Sequence, residues 1–133
     1  KSAKENIREY KNYYGNVYQE KIFMTNDLGY LTEEITRITL NGRETKIVYE
    51  WDEKGRVAKK TDISEFMGKT EISNAFQYDD FGNLTEEQIY RNQKLTTLRS
   101  MIYDKVTGLL TAHVAKDMTS EVITIVKYEY GFF

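Results

Sequence analysis

Few residues in this chain are of types that do chemistry. Its 133 residues include no cysteine and one histidine. Thiol nucleophiles, Cys-ligated zinc, disulfides and His-rich metal sites are therefore excluded. His113 stands in Thr111-Ala112-His113-Val114, and no nucleophile elbow, phosphate loop or zinc signature accompanies it. Carboxylates occur as adjacent pairs, Glu33-Glu34 and Glu86-Glu87. Acid/base work on a glycoside needs two carboxylates facing each other across the substrate. Neighbours in a strand point to opposite faces, so each pair is split. The reading is of a non-enzyme with no catalytic residue, no metal site and no cofactor.

Two other residue sets recur at fixed spacing. Aspartates Asp52, Asp79 and Asp104, with Asn26, each stand three or four residues before a glycine. Calcium would need six to eight converging oxygens. One carboxylate per turn fits a cap on the turn's own N–H groups. The aromatic set forms two columns. Phe23, Tyr49, Phe76 and Tyr128 share one position with Met101, and Trp51, Tyr78, Tyr103 and Tyr130 stand two residues on, on the same face. Core packing is one reading of these columns. The other is an aromatic-lined face for a small ligand, glycan or peptide, built from Tyr49, Trp51, Phe76, Tyr78, Tyr103, Tyr128 and Tyr130.

The elements that must position these residues are readable from an internal repeat. Aligned on glycine, the copies are Phe23-Met24-Thr25-Asn26-Asp27-Leu28-Gly29, Tyr49-Glu50-Trp51-Asp52-Glu53-Lys54-Gly55, Phe76-Gln77-Tyr78-Asp79-Asp80-Phe81-Gly82 and Met101-Ile102-Tyr103-Asp104-Lys105-Val106-Thr107-Gly108. Tyr128-Glu129-Tyr130-Gly131 is a truncated fifth. Asp or Asn followed by Gly at the fourth position is type I turn chemistry closing a short hairpin. The residues before it alternate apolar and polar, with the period of two of a half-buried strand. A second turn falls midway through each unit, near Asn41-Gly42, Met67-Gly68-Lys69, Arg91-Asn92-Gln93 and Asp117-Met118-Thr119-Ser120.

The unit is thus a hairpin of about 26 residues. Strands are predicted near 17–25, 31–40, 44–52, 57–66, 70–79, 84–91, 94–103, 109–116 and 121–130, with a tenth near 8–14. The fold class is all-β: an antiparallel up-and-down meander of nine or ten strands, forming a curled sheet or a barrel. Residues 1–133 form a single β-repeat domain, with 1–13 an N-terminal segment and 14–133 the hairpin repeats. The segment 31–40 puts Leu31 and Ile35 on one face but Ile38 and Leu40 on the other, which predicts a bulge or a strand that changes partner. Ser2-Ala3-Lys4-Glu5 fits a capping box, with Ile7 and Tyr10 at helical spacing, so a short N-terminal helix competes there with an extra strand. The length suffices for an unaided buried core.

The unit Tyr78-Asp79-Asp80-Phe81-Gly82-Asn83-Leu84 resembles the YD repeats of the RHS family, and Trp51-Asp52-Glu53-Lys54-Gly55-Arg56-Val57 matches next best. The large shell-forming members are far longer than this chain. It is similar instead to small exported β-repeat proteins of gut Bacteroidetes, and that resemblance implies a periplasmic, cell-surface or secreted location without implying an activity. A net charge of −2, from 19 basic and 21 acidic residues, shows no basic stripe for nucleic acid. No apolar run is long enough for a membrane helix, and the ending Tyr128-Glu129-Tyr130-Gly131-Phe132-Phe133 would place Glu129 and Lys127 toward lipid. The expected function is ligand binding through the aromatic face. The alternative is a structural module docking on another β-protein, or on a second copy as a homodimer, through an open sheet edge.

Overall fold

The computed structural model describes residues 4–131. They form ten strands: β1 (Lys4–Lys11), β2 (Val17–Thr25), β3 (Leu31–Ile38), β4 (Glu44–Trp51), β5 (Val57–Ser64), β6 (Thr70–Tyr78), β7 (Leu84–Arg91), β8 (Lys94–Tyr103), β9 (Leu110–Asp117) and β10 (Ile123–Lys127). Their order in the sheet is their order in the chain. This is the expected antiparallel meander. It ends at β1 on one side and β10 on the other, so the sheet is not closed into a barrel.

Of the two readings of the N-terminal segment, the extra strand is the one the described residues form, and no helix occurs among them. Lys4–Lys11 is a strand, and Ser2 and Ala3 of the capping box lie outside the described residues. Local turn chemistry is the reason. Asn12 Oδ1 accepts from the N–H groups of Tyr14 and Asn16, and Gly15 donates back to the Asn12 carbonyl at 3.0 Å. Asn12-Tyr13-Tyr14-Gly15 is thus a further copy of the Asn/Asp-x-x-Gly turn. It closes the β1–β2 hairpin and places Ile7 opposite Ile22.

The same turn repeats at the other end of the hairpins. Gly29 donates to Asn26, Gly55 to Asp52, Gly82 to Asp79 and Gly108 to Asp104, at 2.9–3.1 Å. After three of these turns the strand pairing slips by one residue, at Thr25, Trp51 and Tyr103. Segment 31–40 does hold a bulge: Leu31 pairs with Thr25 while Glu33 pairs with Met24, leaving Thr32 as the extra residue. It turns Leu31 to the face of Ile38 and leaves Ile35 on the other, so it does not bring Ile35 and Ile38 together. The two-residue turn between β7 and β8 lacks glycine, and Asn92 and Gln93 both adopt positive φ, 47° and 70°. This is the primed geometry that suits the twist of a hairpin.

The chain divides within β6 into two compact units, one ending at Ile72 and the other beginning at Ser73. In the first unit Ile7, Ile22, Ile35, Lys46 and Ile63 form one cross-strand row. Phe23, Glu34, Ile47 and Asp62 form the adjacent row on the opposite face. In the second unit Ser100, Val114 and Ile125 form a row, and Met101, His113 and Val126 form its neighbour.

The expected buried core does not form. Among the described residues no apolar side chain is fully buried, and the two buried residues are Thr61 and Ser73. The physical reason is the meander itself: every strand is used on both faces, so apolar side chains shield one another sideways along rows. Cross-strand pairs of this kind contribute about 0.2–1 kcal/mol each. Ion pairs follow the same rows. Arg37 reaches Glu20 at 3.2 Å and Glu44 at 3.0 Å, one strand away on either side.

Candidate functional site

The aspartate column caps its own turns. Asp52 Oδ1 accepts from the N–H groups of Lys54 and Arg56, and Oδ2 takes Arg56 Nε at 2.7 Å. Asp79 accepts from Phe81 and Asn83, and Asp104 from Val106 and Thr107. Asn26 does the same with Leu28 and Tyr30. These donors favour the charged carboxylate. The Arg56 N–H is the first cause that holds Asp52 below its ordinary range, and the Thr107 N–H is the first for Asp104. Asp117 is lowered chiefly by the N–H of Ser120.

The glutamate pairs are split as the strand period requires. Glu33 pairs with Lys46 at 3.1 Å on one face, and Glu34 with Lys21 at 3.3 Å on the other. Glu87 holds Arg99 at 3.2 Å, whereas Glu86 accepts from Gln88. His113 sits in mid-strand between Met101 and Val126.

The seven aromatic candidates separate into two arrangements. In the first unit, Tyr49 and Trp51 lie with ring centres 6.5 Å apart. Trp51 donates its Nε1–H to the Leu31 carbonyl at 2.8 Å. The second column repeats this bond in the other unit: Tyr103 Oη donates to the Leu84 carbonyl and Tyr130 Oη to that of Leu110, both at 2.7 Å. The outer atom of the ring therefore pins it across to the start of the preceding strand. Only the ring face remains for a ligand. Phe76 and Tyr78 are half-buried at the end of β6. Tyr128 and Tyr130 follow β10 and are 40% and 47% exposed.

What covers the ring face differs between the units. Over Trp51 lies Tyr30, stacked at 5.0 Å with planes 26° apart. Its hydroxyl passes above Gly55, where a Cβ would meet the Tyr30 oxygen at 2.7 Å. The space between turns 26–29 and 52–55 is thus filled by the chain itself. In the second unit the counterpart of Tyr30 is Asn83, which bends back to Asp79 Oδ2 at 3.2 Å. Nothing lies within 4 Å of a Cβ built on Gly108, the counterpart of Gly55. A groove of about 630 Å³ remains between turns 79–82 and 104–108. Tyr103, Met101 and Ile102 line it, and Asp79, Asn83, Asp104, Lys105 and Thr107 add polar groups. Phe81 and Val106, 91% and 94% exposed, stand at its lips.

Of the seven candidates, only Tyr103 lines this groove. Tyr30, Phe81, Asn83 and Val106 were not singled out from the sequence. The residue after each turn glycine carries the signal: Tyr30 in one copy, Asn83 in another.

No protein-family model matches the chain, and no curated protein matches it. A solved structure of a protein with unknown function from Bacteroides fragilis is similar, with 16% identity and a TM-score of 0.24. The match covers 93% of this chain and 89% of that one.

Proposed function

We propose that this chain is a non-enzymatic β-repeat binding module that accepts an aromatic side chain of a peptide in the groove over Tyr103. The observation that carries the reading is Tyr30. At the equivalent place in the first unit, the chain's own tyrosyl ring stacks on Trp51. A second ring entering the open groove would meet the same kind of floor. Flat rings give large contact area at small entropic cost, and offset stacking adds about 0.5–1.5 kcal/mol. Tyr103 is pre-set for this, because its bond to Leu84 fixes the ring. The polar rim carries the turn-capping carboxylates of Asp79 and Asp104 and the cation of Lys105. The resemblance of the repeats to those of exported proteins supports a periplasmic, cell-surface or secreted location.

The test is an amide NMR titration with N-acetyl-L-tyrosinamide, with a methyl glucoside as the competing probe. The tyrosinamide is expected to shift the amides of Asn83, Tyr103 and Gly108 at millimolar concentration. Shifts there with the glucoside alone would replace the peptide with a glycan. No shift with either probe would overturn the reading.

A further inference from the structure

Apart from the groove, the two ends of the strand order carry an inference of their own. Backbone polarity at each edge can be read from the ladder, because residues of an antiparallel strand turn their N–H and C=O alternately to one side and the other. Tyr128 donates to Thr111, and Val122 accepts from Asp117. These residues face β9, so Ile123, Ile125 and Lys127 turn their backbone groups outward. On the other edge Tyr18 gives its carbonyl to Thr39, toward β3. Gln19, Lys21 and Phe23 therefore face β1, where their partners are Tyr10, Arg8 and Asn6. Glu5, Ile7 and Glu9 are left turned outward.

We propose that β10 pairs with β1 of a second copy of this chain, antiparallel, with Ile125 opposite Ile7. One register lets all three outward residues of β10 meet all three of β1. It also puts Lys127 opposite Glu5, opposite charges in a direct cross-strand pair, and Ile123 opposite Glu9. The two central isoleucines are 59% and 56% exposed, and the pairing covers both. It also joins the row Val114 and Ile125 to the row Ile7, Ile22 and Ile35 of the next molecule. β1 bears five charges in eight residues, against one in five for β10. Such charges discourage pairing of an edge with its own kind. The contact is head-to-tail, so each added copy presents a new β10 to the next.

The test uses sedimentation and disulfide trapping. The chain has no cysteine, so introduced thiols report without background. In the proposed register Val126 faces Asn6 in a non-hydrogen-bonded pair, the closer kind of cross-strand pair. The Asn6→Cys/Val126→Cys double variant is expected to give a ladder of linked oligomers on mild oxidation, and neither single variant to give dimers. Ile125→Pro removes an outward N–H and no bond to β9, and is expected to abolish the concentration-dependent rise in mass. Glu5→Lys or Lys127→Glu alone should weaken association about twofold to fivefold, and the two together should restore it. Monomeric sedimentation at all concentrations, or efficient dimers from Val126→Cys alone, would overturn the proposal. Loss of tyrosinamide binding would leave it untouched.

Discussion

The repeat places an aromatic ring before Asp52, Asp79 and Asp104, yet the rings of Trp51 and Tyr103 meet opposite conditions. Trp51 is covered by Tyr30 and bordered by Tyr49. Tyr103 has the same anchoring bond to the preceding strand but an open groove above it. The residue after the turn glycine differs, Tyr30 in one case and Asn83 in the other, and around Tyr103 the turn is one residue longer and Met101 stands where Tyr49 does. The two units keep the same backbone and the same pins while one ring is covered and the other left open. On the proposed function, stability and binding reside in different copies of one unit.

The comparison breaks most visibly at the rings. Trp51→Ala removes a stacked pair and the bond to Leu31, and is expected to cost about 2–3 kcal/mol by denaturant titration. Tyr103→Phe loses only the bond to Leu84, about 1 kcal/mol, and should keep tyrosinamide binding because the ring remains. Equal costs for the two would remove the distinction between covered and open.

Exchanging the residues after the glycines sharpens it. Asn83→Tyr is expected to fill the groove and weaken tyrosinamide binding about tenfold or more. Tyr30→Asn should open a second groove over Trp51 and make Trp51 fluorescence respond to the ligand, at a stability cost of about 1 kcal/mol. A Tyr30→Asn chain whose Trp51 ignores the ligand would mean that an exposed ring floor is insufficient.

The glycines give a finer contrast. Gly55 and Gly108 have φ of 76° and 73°, so alanine at either costs about 1 kcal/mol of backbone strain. Only Gly55→Ala also collides with Tyr30. It should be the more destabilising of the two in thermal melts, and Tyr30→Asn should erase the difference.

The smallest effect is in acid. Asp52 and Asp104 are held below the ordinary 3.8 by turn N–H groups. A lowered folded-state value means stability that is present above the unfolded value and lost as pH falls through the folded one. Melting temperature should therefore drop as pH falls below about 4. Asp52→Asn keeps the Oδ1 acceptor, as Asn26 does in its own turn, and should flatten that acid limb. An unchanged limb would show that these caps do not govern acid stability.

The turns and strands were legible because their chemistry is local. Asp79, Gly82 and the alternation in Phe76-Gln77-Tyr78 lie within a few residues of one another. β2, β7 and β8 fall where the pattern placed them. The first strand was obscured because a capping-box pattern and an Asn-x-x-Gly turn compete over residues 2–15, and the turn prevails through pairing with β2. An open or closed sheet depends on what β1 and β10 meet, which no local pattern encodes. Tyr30 was missed for a related reason: its partner Trp51 lies a whole hairpin away, so its role follows from register. Within the first unit the register puts Phe23 and Tyr49 of the first column on one face. Which ring stays uncovered is decided by residues outside the columns.

The most direct measurement is an amide NMR titration of the wild type and of Asn83→Tyr with N-acetyl-L-tyrosinamide. Wild-type shifts are expected at Asn83, Tyr103 and Gly108, with their loss in the variant while its fold stays intact. Equal binding by both proteins, or wild-type shifts centred on Trp51, would contradict the proposed function.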